Sequence, residues 1–225
     1  MKPYYADELV TLYCGDFREL LPAVIAEHGE PDLCLTDPPY GETSLPWDTW
    51  PVGWPSLIPG RSMWCFGSMR MFLDRRAEFD GWKLSQDVVW EKHNGSGFTN
   101  DRFKRVHEHA LHWYRGDWGS VHHETPTADT GGKRTTIRRA SQGKGVHGDR
   151  GASVDVRDGT TLVRSVIYSP AMHKRAINET EKPAGLVENL LIYGAPPPGP
   201  SSGRLRRGLL HVGSGPELGA ACCGH

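Results

Sequence analysis

The chain has 225 residues and a formal net charge of −1 at neutral pH, enough for one sizeable α/β domain with a real core but small for two. The near-zero charge excludes a global attraction to nucleic acid or to an anionic membrane, so any electrostatic partner site is a local patch. No apolar run approaches membrane-spanning length, and the start "MKPYYADELVTLYCGD" lacks the apolar core of a signal peptide. The five cysteines are odd in number, two of them adjacent (Cys222 and Cys223), and none forms a spaced CxxC pair. A cytoplasmic protein with reduced thiols is the expectation.

In chain order, "VTLYCGD" predicts a strand ending at Gly15 and Asp16, and "FRELLPAVIAEHG" a helix that Pro22 limits. "DLCLT" is a short buried-type strand. It stops at Asp37 because Pro38 and Pro39 cannot donate to a sheet ladder. "SMWCFGS" predicts a further strand, "MRMFLDRRAEF" a helix, and "SQDVVWEK" and "HEHALHWY" two more strands. Strands alternate with helices early and then dominate, which predicts an α/β layered domain with a mostly parallel sheet.

From Gly116 to about Gly159 the sequence is rich in glycine and poor in apolar periodicity, and reads as a long, partly flexible insertion. Its stretch "KRTTIRRASQGKGVHGDR" carries Lys133, Arg134, Arg138, Arg139, Lys144 and Arg150 against Asp149 alone. Order returns with "TLVRSVIYSP". "TEKPAGLVENLLIYG" then predicts a helix with Pro183 in its first turn, Leu186, Val187, Leu190 and Leu191 on one face, and Gly194 at its end. A Pro/Gly-rich breaker and the weakly patterned tail "SSGRLRRGLLHVGSGPELGAACCGH" follow.

The segment "TDPPY" carries the chemistry. A carboxylate at the carboxyl end of a buried strand sits where ligands bind in open α/β sheets, so Asp37 can accept a hydrogen bond from an amino group. Two prolines fix the backbone, and the Pro38 carbonyl offers a second acceptor to the same group. Tyr40 offers a ring face to a planar heterocycle. Two acceptors and a platform suit the exocyclic amine of a base. Holding both N–H bonds makes the nitrogen lone pair more available, and positioning against an electrophile supplies the rest of the rate.

At these residues the chain resembles the amino-methylating DNA methyltransferases, which methylate adenine N6 or cytosine N4. "LYCGDFRELLPAVIAEHGEPDLCLTDPPYG", "SMWCFGS", "VVWEKHNGSGF", "RVHEHALHWYRG" and "NETEKPAGLVENLLIYGAPPPG" carry the likeness. Their order is similar to that of a permuted class with the DPPY segment near the N-terminus. The resemblance implies a Rossmann-like, S-adenosylmethionine-dependent methyltransferase sheet. Residues 1–115 would form its catalytic half, 116–160 a target-recognition insertion and 161–225 an incomplete donor-binding half. It implies that Asp37, Pro38, Pro39 and Tyr40 hold a base extruded from double-stranded DNA. Asp16, Thr180, Lys182, Pro183, Gly213 and Gly215 would serve S-adenosylmethionine. Lys133, Arg134, Arg138, Arg139 and Lys144 would contact DNA. Asp in the first position of the motif favours adenine N6, in an enzyme of restriction-modification or phage-borne type.

Departures from the family pattern keep alternatives open. Leu209 stands where the family has an acid for the donor's amino group, His211 replaces an aromatic, and Asn178-Glu179 replaces His-Pro before Thr180. The strand that normally follows the donor loop, and the helix after it, are expected to be missing. Either the strand "VTLYCGD" then loses its sheet neighbour or the tail fills the gap. The alternatives are a catalytically silent DNA-binding remnant, an N4-cytosine methyltransferase, and a protein-glutamine or RNA methyltransferase. The last usually carries Asn in place of Asp37 and a donor loop before it. Trp47, Trp50 and Trp118, in polar surroundings, are candidates for gripping a flat partner. The histidines of "HEHALH" and the terminal "CCGH" are weak metal candidates, since no paired ligand stands at metal spacing.

Overall fold

The computed structural model describes residues 2–8, 10–96, 101–132, 134–140, 151–157, 159–170, 181–197, 209–213 and 220–224. The chain divides into two compact units, Thr125–Arg164 and the remainder.

The larger unit is built on a nine-stranded sheet in the order β1-β2-β13-β12-β3-β4-β6-β5-β11. The strands are β1 (Tyr5–Ala6), β2 (Val10–Cys14), β3 (Leu33–Asp37), β4 (Ser62–Gly67), β5 (Lys83–Ser96), β6 (Arg105–Tyr114), β11 (Val166–Tyr168), β12 (Leu209–Gly213) and β13 (Ala220–Gly224). The sheet is mixed rather than mostly parallel. β12, β3 and β4 run parallel, as do β5 and β11, whereas β6 is antiparallel to both its neighbours. β3 and β4 are buried along their whole length, as expected for parallel strands covered on both faces.

The pleat divides their side chains between two cores. Cys34, Met63 and Cys65 point to the side packed by Phe17 and Leu21 of α1 (Phe17–His28), Trp54 of α2 (Trp54–Leu57) and Met71 and Phe72 of α3 (Met69–Asp74). Leu33, Leu35, Trp64 and Phe66 point to the other side, where Leu186, Leu190 and Tyr193 of α4 (Ala184–Gly194) cover them. The shared face of Leu186, Val187, Leu190 and Leu191 is the one α4 lays on the sheet. Pro183 is the N-cap of α4 rather than a residue of its first turn, and Ala195 is its C-cap. α1 tolerates Pro22 in its first two turns and is capped by the Asp16 carboxylate. Gly67 allows the close approach of α3 to β4: a Cβ there would lie 2.7 and 2.8 Å from ring carbons of Phe72.

Trp50 is not a surface ring. It is buried in the first core, edge-on to Trp54, and its indole N–H donates to Glu78 at 2.7 Å. Of the other two tryptophans singled out, Trp47 is half-buried, and Trp118 is half-buried and stacked on His123 at 4.1 Å.

The tail fills the gap beside β2. β12 pairs in parallel with β3, and β13 turns back antiparallel between β12 and β2. Among the described residues no helix follows β12.

The unit Thr125–Arg164 is not irregular. β7 (Thr127–Asp129) pairs with β10 (Thr160–Leu162), and β8 (Arg134–Arg138) pairs with β9 (Ser153–Arg157), both antiparallel. The β8–β9 register sets Arg134 opposite Arg157 and Ile137 opposite Val154. Strand alternation puts Thr135, Ile137, Val154 and Val156 on one face of the ribbon. Ile137, Val154 and Val156 are exposed.

Candidate active site

The carboxyl ends of β2, β12, β3 and β4 lie along one edge of the sheet. Register makes this concrete: Cys14 faces Ala220, Ala220 faces Gly213, and Gly213 faces Asp37, in one row across four strands. Such an edge is where open α/β sheets bind ligands.

Asp37, the last residue of β3, is 7% exposed. Its side chain is turned into a polar cluster rather than into the core. Oδ2 accepts from Lys182 Nζ at 2.7 Å, and Oδ1 accepts from the Tyr40 hydroxyl at 3.1 Å. Pro38 is buried and Pro39 half-buried. Tyr40 packs its ring against the first core while its hydroxyl reaches the carboxylates. Burial, and then the charges of Asp37 and Glu108, push its phenol well above the ordinary value, so it stays a donor.

Glu108 on β6 completes the cluster. Its Oε1 is ion-paired with Lys92 of β5, and its Oε2 lies 3.4 Å from the Tyr40 hydroxyl and 3.6 Å from Lys182 Nζ. Burial raises the Glu108 carboxyl, but the ammoniums of Lys182 and Lys92 outweigh it and hold the group below its usual range. Burial likewise pushes Lys182 down, and Asp37 and Glu108 outweigh it, so its ammonium is held above the ordinary value. Two carboxylates and two ammoniums thus form a neutral, largely buried set, as burial of charge requires. Neither Lys92 nor Glu108 stands out in the sequence. The one signal there is a charged residue close to each of two apolar stretches, Lys92 after "VVW" and Glu108 before "AL".

The loop after Tyr40 is held by a second buried carboxylate. Asp48 accepts from the backbone N–H groups of Gly41, Glu42 and Thr43 at 2.8, 3.0 and 2.7 Å. Burial raises its carboxyl, but the Thr43 hydroxyl and these N–H groups win, and the net shift is downward. Glu42 then bridges to Ser68, the N-cap of α3, and to Arg105 at 3.2 Å. The strand that bears Asp37 is therefore followed by a loop tied to both neighbouring elements.

Lys182 and Gly213 meet Asp37, the first by contact and the second by register. Gly213 places backbone without a side chain opposite Asp37 in the sheet. Pro183 is buried at the start of α4. Asp16 belongs to the same edge, just beyond β2, where it caps α1 and is ion-paired with Arg18. That pairing, more than the cap, holds its carboxyl below the usual range. Leu209 lies at the opposite end of β12, paired with Leu33. Thr180 and Gly215 lie outside the described residues, as do Lys133 and Lys144. Arg134 and Arg138 are on β8, and Arg139 follows it, exposed.

Cys65 is buried on β4, and burial, then the charge of Asp37, pushes its thiol well above the ordinary value. It is held as a neutral thiol, not a nucleophile. Among the described residues no group of three His, Cys, Asp or Glu side chains could hold a metal ion. His107 and His109 touch edge-on at 5.2 Å. Among the described residues no helix is long and apolar enough to cross a membrane.

A carboxylate–ammonium cluster thus stands at the carboxyl end of a central strand of an α/β sheet, the edge at which open sheets of this kind bind ligands. The family model described as DNA methylase, covering N6 and N4 methylases, matches residues 31–197, and the chain belongs to that family. No curated protein matches it. Among solved structures it is similar to M1.HpyAVI in complex with SAM, at 18% identity over 81% of this chain and 76% of that one, with a TM-score of 0.47. It is also similar to a second structure of M1.HpyAVI, at 18% identity over 82% and 75%, with a TM-score of 0.48.

Proposed function

We propose that this member of the DNA methylase family transfers a methyl group from S-adenosylmethionine to the N6 amino group of adenine in double-stranded DNA. The observation that carries the reading is Asp37: a buried carboxylate at the end of β3, facing a polar cluster and flanked by the backbone of Gly213. The Asp of "DPPY" supports adenine over cytosine through the family resemblance.

S-adenosylmethionine, when bound, supplies an electrophilic methyl carbon on a sulfonium. Asp37 and the Pro38 carbonyl accept the two N–H bonds of the base amine. Tyr40 lines the same notch. The amine nitrogen, so held by Asp37 and Pro38, would be the atom that accepts the methyl group. The surplus proton leaves the nitrogen along the bond to Asp37. Lys182, Pro183, Asp16 and Gly213 would serve the donor at that edge, and the family resemblance adds Thr180 and Gly215, which lie outside the described residues. Lys133, Arg134, Arg138, Arg139 and Lys144 hold phosphates of the duplex, which gives affinity and register without reading bases.

A methylation assay on mixed-sequence DNA with labelled S-adenosylmethionine tests the reading. Label should appear in N6-methyladenine with the parent and be lost with Asp37→Ala. Undiminished transfer by Asp37→Ala would overturn the catalytic assignment, and label in N4-methylcytosine would move the target. The antiparallel return of β13 beside β12, with no helix after β12 among the described residues, favours a second reading: a silent DNA-binding remnant. DNA binding with no uptake of S-adenosylmethionine at millimolar concentration would establish it.

A further inference from the structure

Four side chains close a ring at the end of β3, and one of them has no part in the chemistry just described. Asp37 accepts from Lys182 at 2.7 Å through Oδ2 and from Tyr40 at 3.1 Å through Oδ1. The same two donors face a single oxygen of Glu108, Oε2, at 3.6 Å from Lys182 and 3.4 Å from Tyr40. Each donor therefore has a near acceptor and a farther one. Asp37 is the near acceptor in both cases. Lys92 is paired with the other Glu108 oxygen, Oε1, and so keeps Oε2 aimed into the ring.

The arrangement bears on how Asp37 can serve a base. A carboxylate with a donor on each oxygen, one of them an ammonium, is a weakened acceptor for a third. Asp37 keeps lone pairs for an amine, and it holds one more firmly if the donors it already has loosen. A buried ammonium that moves off its nearest carboxylate is best kept by a second carboxylate within reach. Glu108, through Oε2, is that carboxylate. A shift of about 1 Å in Lys182 Nζ exchanges the two acceptors, and the single Tyr40 proton can turn from one to the other. The set stays neutral throughout, so the exchange needs no uptake of a proton or an ion.

We infer that Glu108 is a positioning residue: the alternative acceptor to which Lys182 and Tyr40 turn when Asp37 takes the amino group of the target base. The inference rests on the methyltransferase reading. It assigns Glu108 to the target-base step and not to the donor.

The test compares Glu108→Gln, Glu108→Asp and Lys92→Gln with the parent in three measurements. These are S-adenosylmethionine affinity by calorimetry, kcat with saturating mixed-sequence DNA, and KM for that DNA. Glu108→Gln keeps size but loses the charge that competes for Lys182. Its kcat should fall roughly a hundredfold, as for other sub-ångström to ångström misplacements of reacting groups, with donor affinity within about twofold of the parent. Glu108→Asp should recover part of that loss. Lys92→Gln, which leaves the carboxylate but not its aim, should show a smaller fall of the same kind. A purely structural role would lower thermal stability and the active fraction while leaving kcat per donor-binding site unchanged. That result in Glu108→Gln, or an equal loss in the Gln and Asp variants, overturns the inference. If Glu108→Gln does not fold, Lys92→Gln decides alone, an unchanged kcat overturning the inference. A parent that binds DNA but transfers no methyl group brings down the methyltransferase reading itself, an outcome read before any variant is made.

Discussion

Lys182 and Asp37 are 145 residues apart in the chain and 2.7 Å apart in space. Each half of the sequence brings one charge of the pair, and Glu108 shares the ammonium. Replacing Lys182 by methionine leaves two buried carboxylates facing one another. The expected loss is about 3–5 kcal/mol at neutral pH, the cost of breaking a buried pair from one side, and thermal unfolding measures it. The pH dependence carries the sign. In the parent, the Glu108 carboxyl is lowered on folding, so its contribution is present above the unfolded value and fades as pH falls through the folded one. Lys182 is raised, so its contribution is present below the unfolded value and fades as pH rises through the folded one. In Lys182→Met the carboxylates repel, one takes a proton, and stability should instead rise on mild acidification. A variant that weakens with acid as the parent does would contradict this.

Asp48→Asn should loosen the loop that follows the "DPPY" segment. The amide keeps one acceptor for three backbone donors and adds two N–H groups that face them. A loss of about 1–3 kcal/mol is expected, together with faster amide exchange at Gly41, Glu42 and Thr43. Because the Asp48 carboxyl is lowered on folding, the parent's advantage over the variant should shrink as pH falls through the carboxylate range. Exchange rates equal in the two proteins would refute the assignment.

These two carboxylates show where the sequence is legible and where it is not. The strand Leu33–Asp37 and its end are readable because apolar residues run up to two prolines, a purely local signal. Helix α4 is readable because its apolar spacing repeats. Asp48 is not, since what it binds is backbone, which every residue has. Glu108 and Lys92 are not, because only the β5–β6 pairing and the place of β4 between β6 and β3 bring them to Asp37. Trp50 misleads for the same reason: its polar neighbours in sequence are not its neighbours in space. The strands of Thr125–Arg164 are hidden by glycine-rich flanks, although "RTTIR" and "SVDVR" alternate as strands do. Composition describes that segment, and register organises it.

His112 gives a prediction independent of function. It is fully buried on β6, with Ser62 on Nε2 at 2.9 Å and Ser85 on Nδ1 at 2.7 Å. Burial, and next the charge of His123, pull its pKa down to about 4. The folded value lies below the unfolded one, so protonation favours the unfolded chain. Stability should be unaffected above about pH 6.5, should decline between there and about pH 4 by roughly 3 kcal/mol, and should then level as far as this group is concerned. Urea titrations across that window should show the decline in the parent and a shallower one in His112→Gln. Imidazole NMR resonances that titrate near 6.5 would refute it.

The arginines on and just after β8 are testable through salt. Substituting Arg134, Arg138 and Arg139 together by alanine should weaken binding to any duplex sequence alike. It should also reduce the slope of log affinity against log salt by about 0.9 for each phosphate no longer neutralised. Thr135→Ala should leave the slope unchanged. A triple variant with the parent's slope would remove the ribbon from the DNA interface.

The pairing of β12 with β3 and of β13 with β2 has a kinetic consequence. As the chain leaves the ribosome, the strand bearing Asp37 emerges well before its partner β12. Until then β3 and β2 each carry a bare flank, open to any extended peptide nearby. The notch around Asp37 therefore closes late, at the slow, long-range end of folding, and slowed synthesis past α4 should lengthen the time the nascent protein spends vulnerable to misassociation.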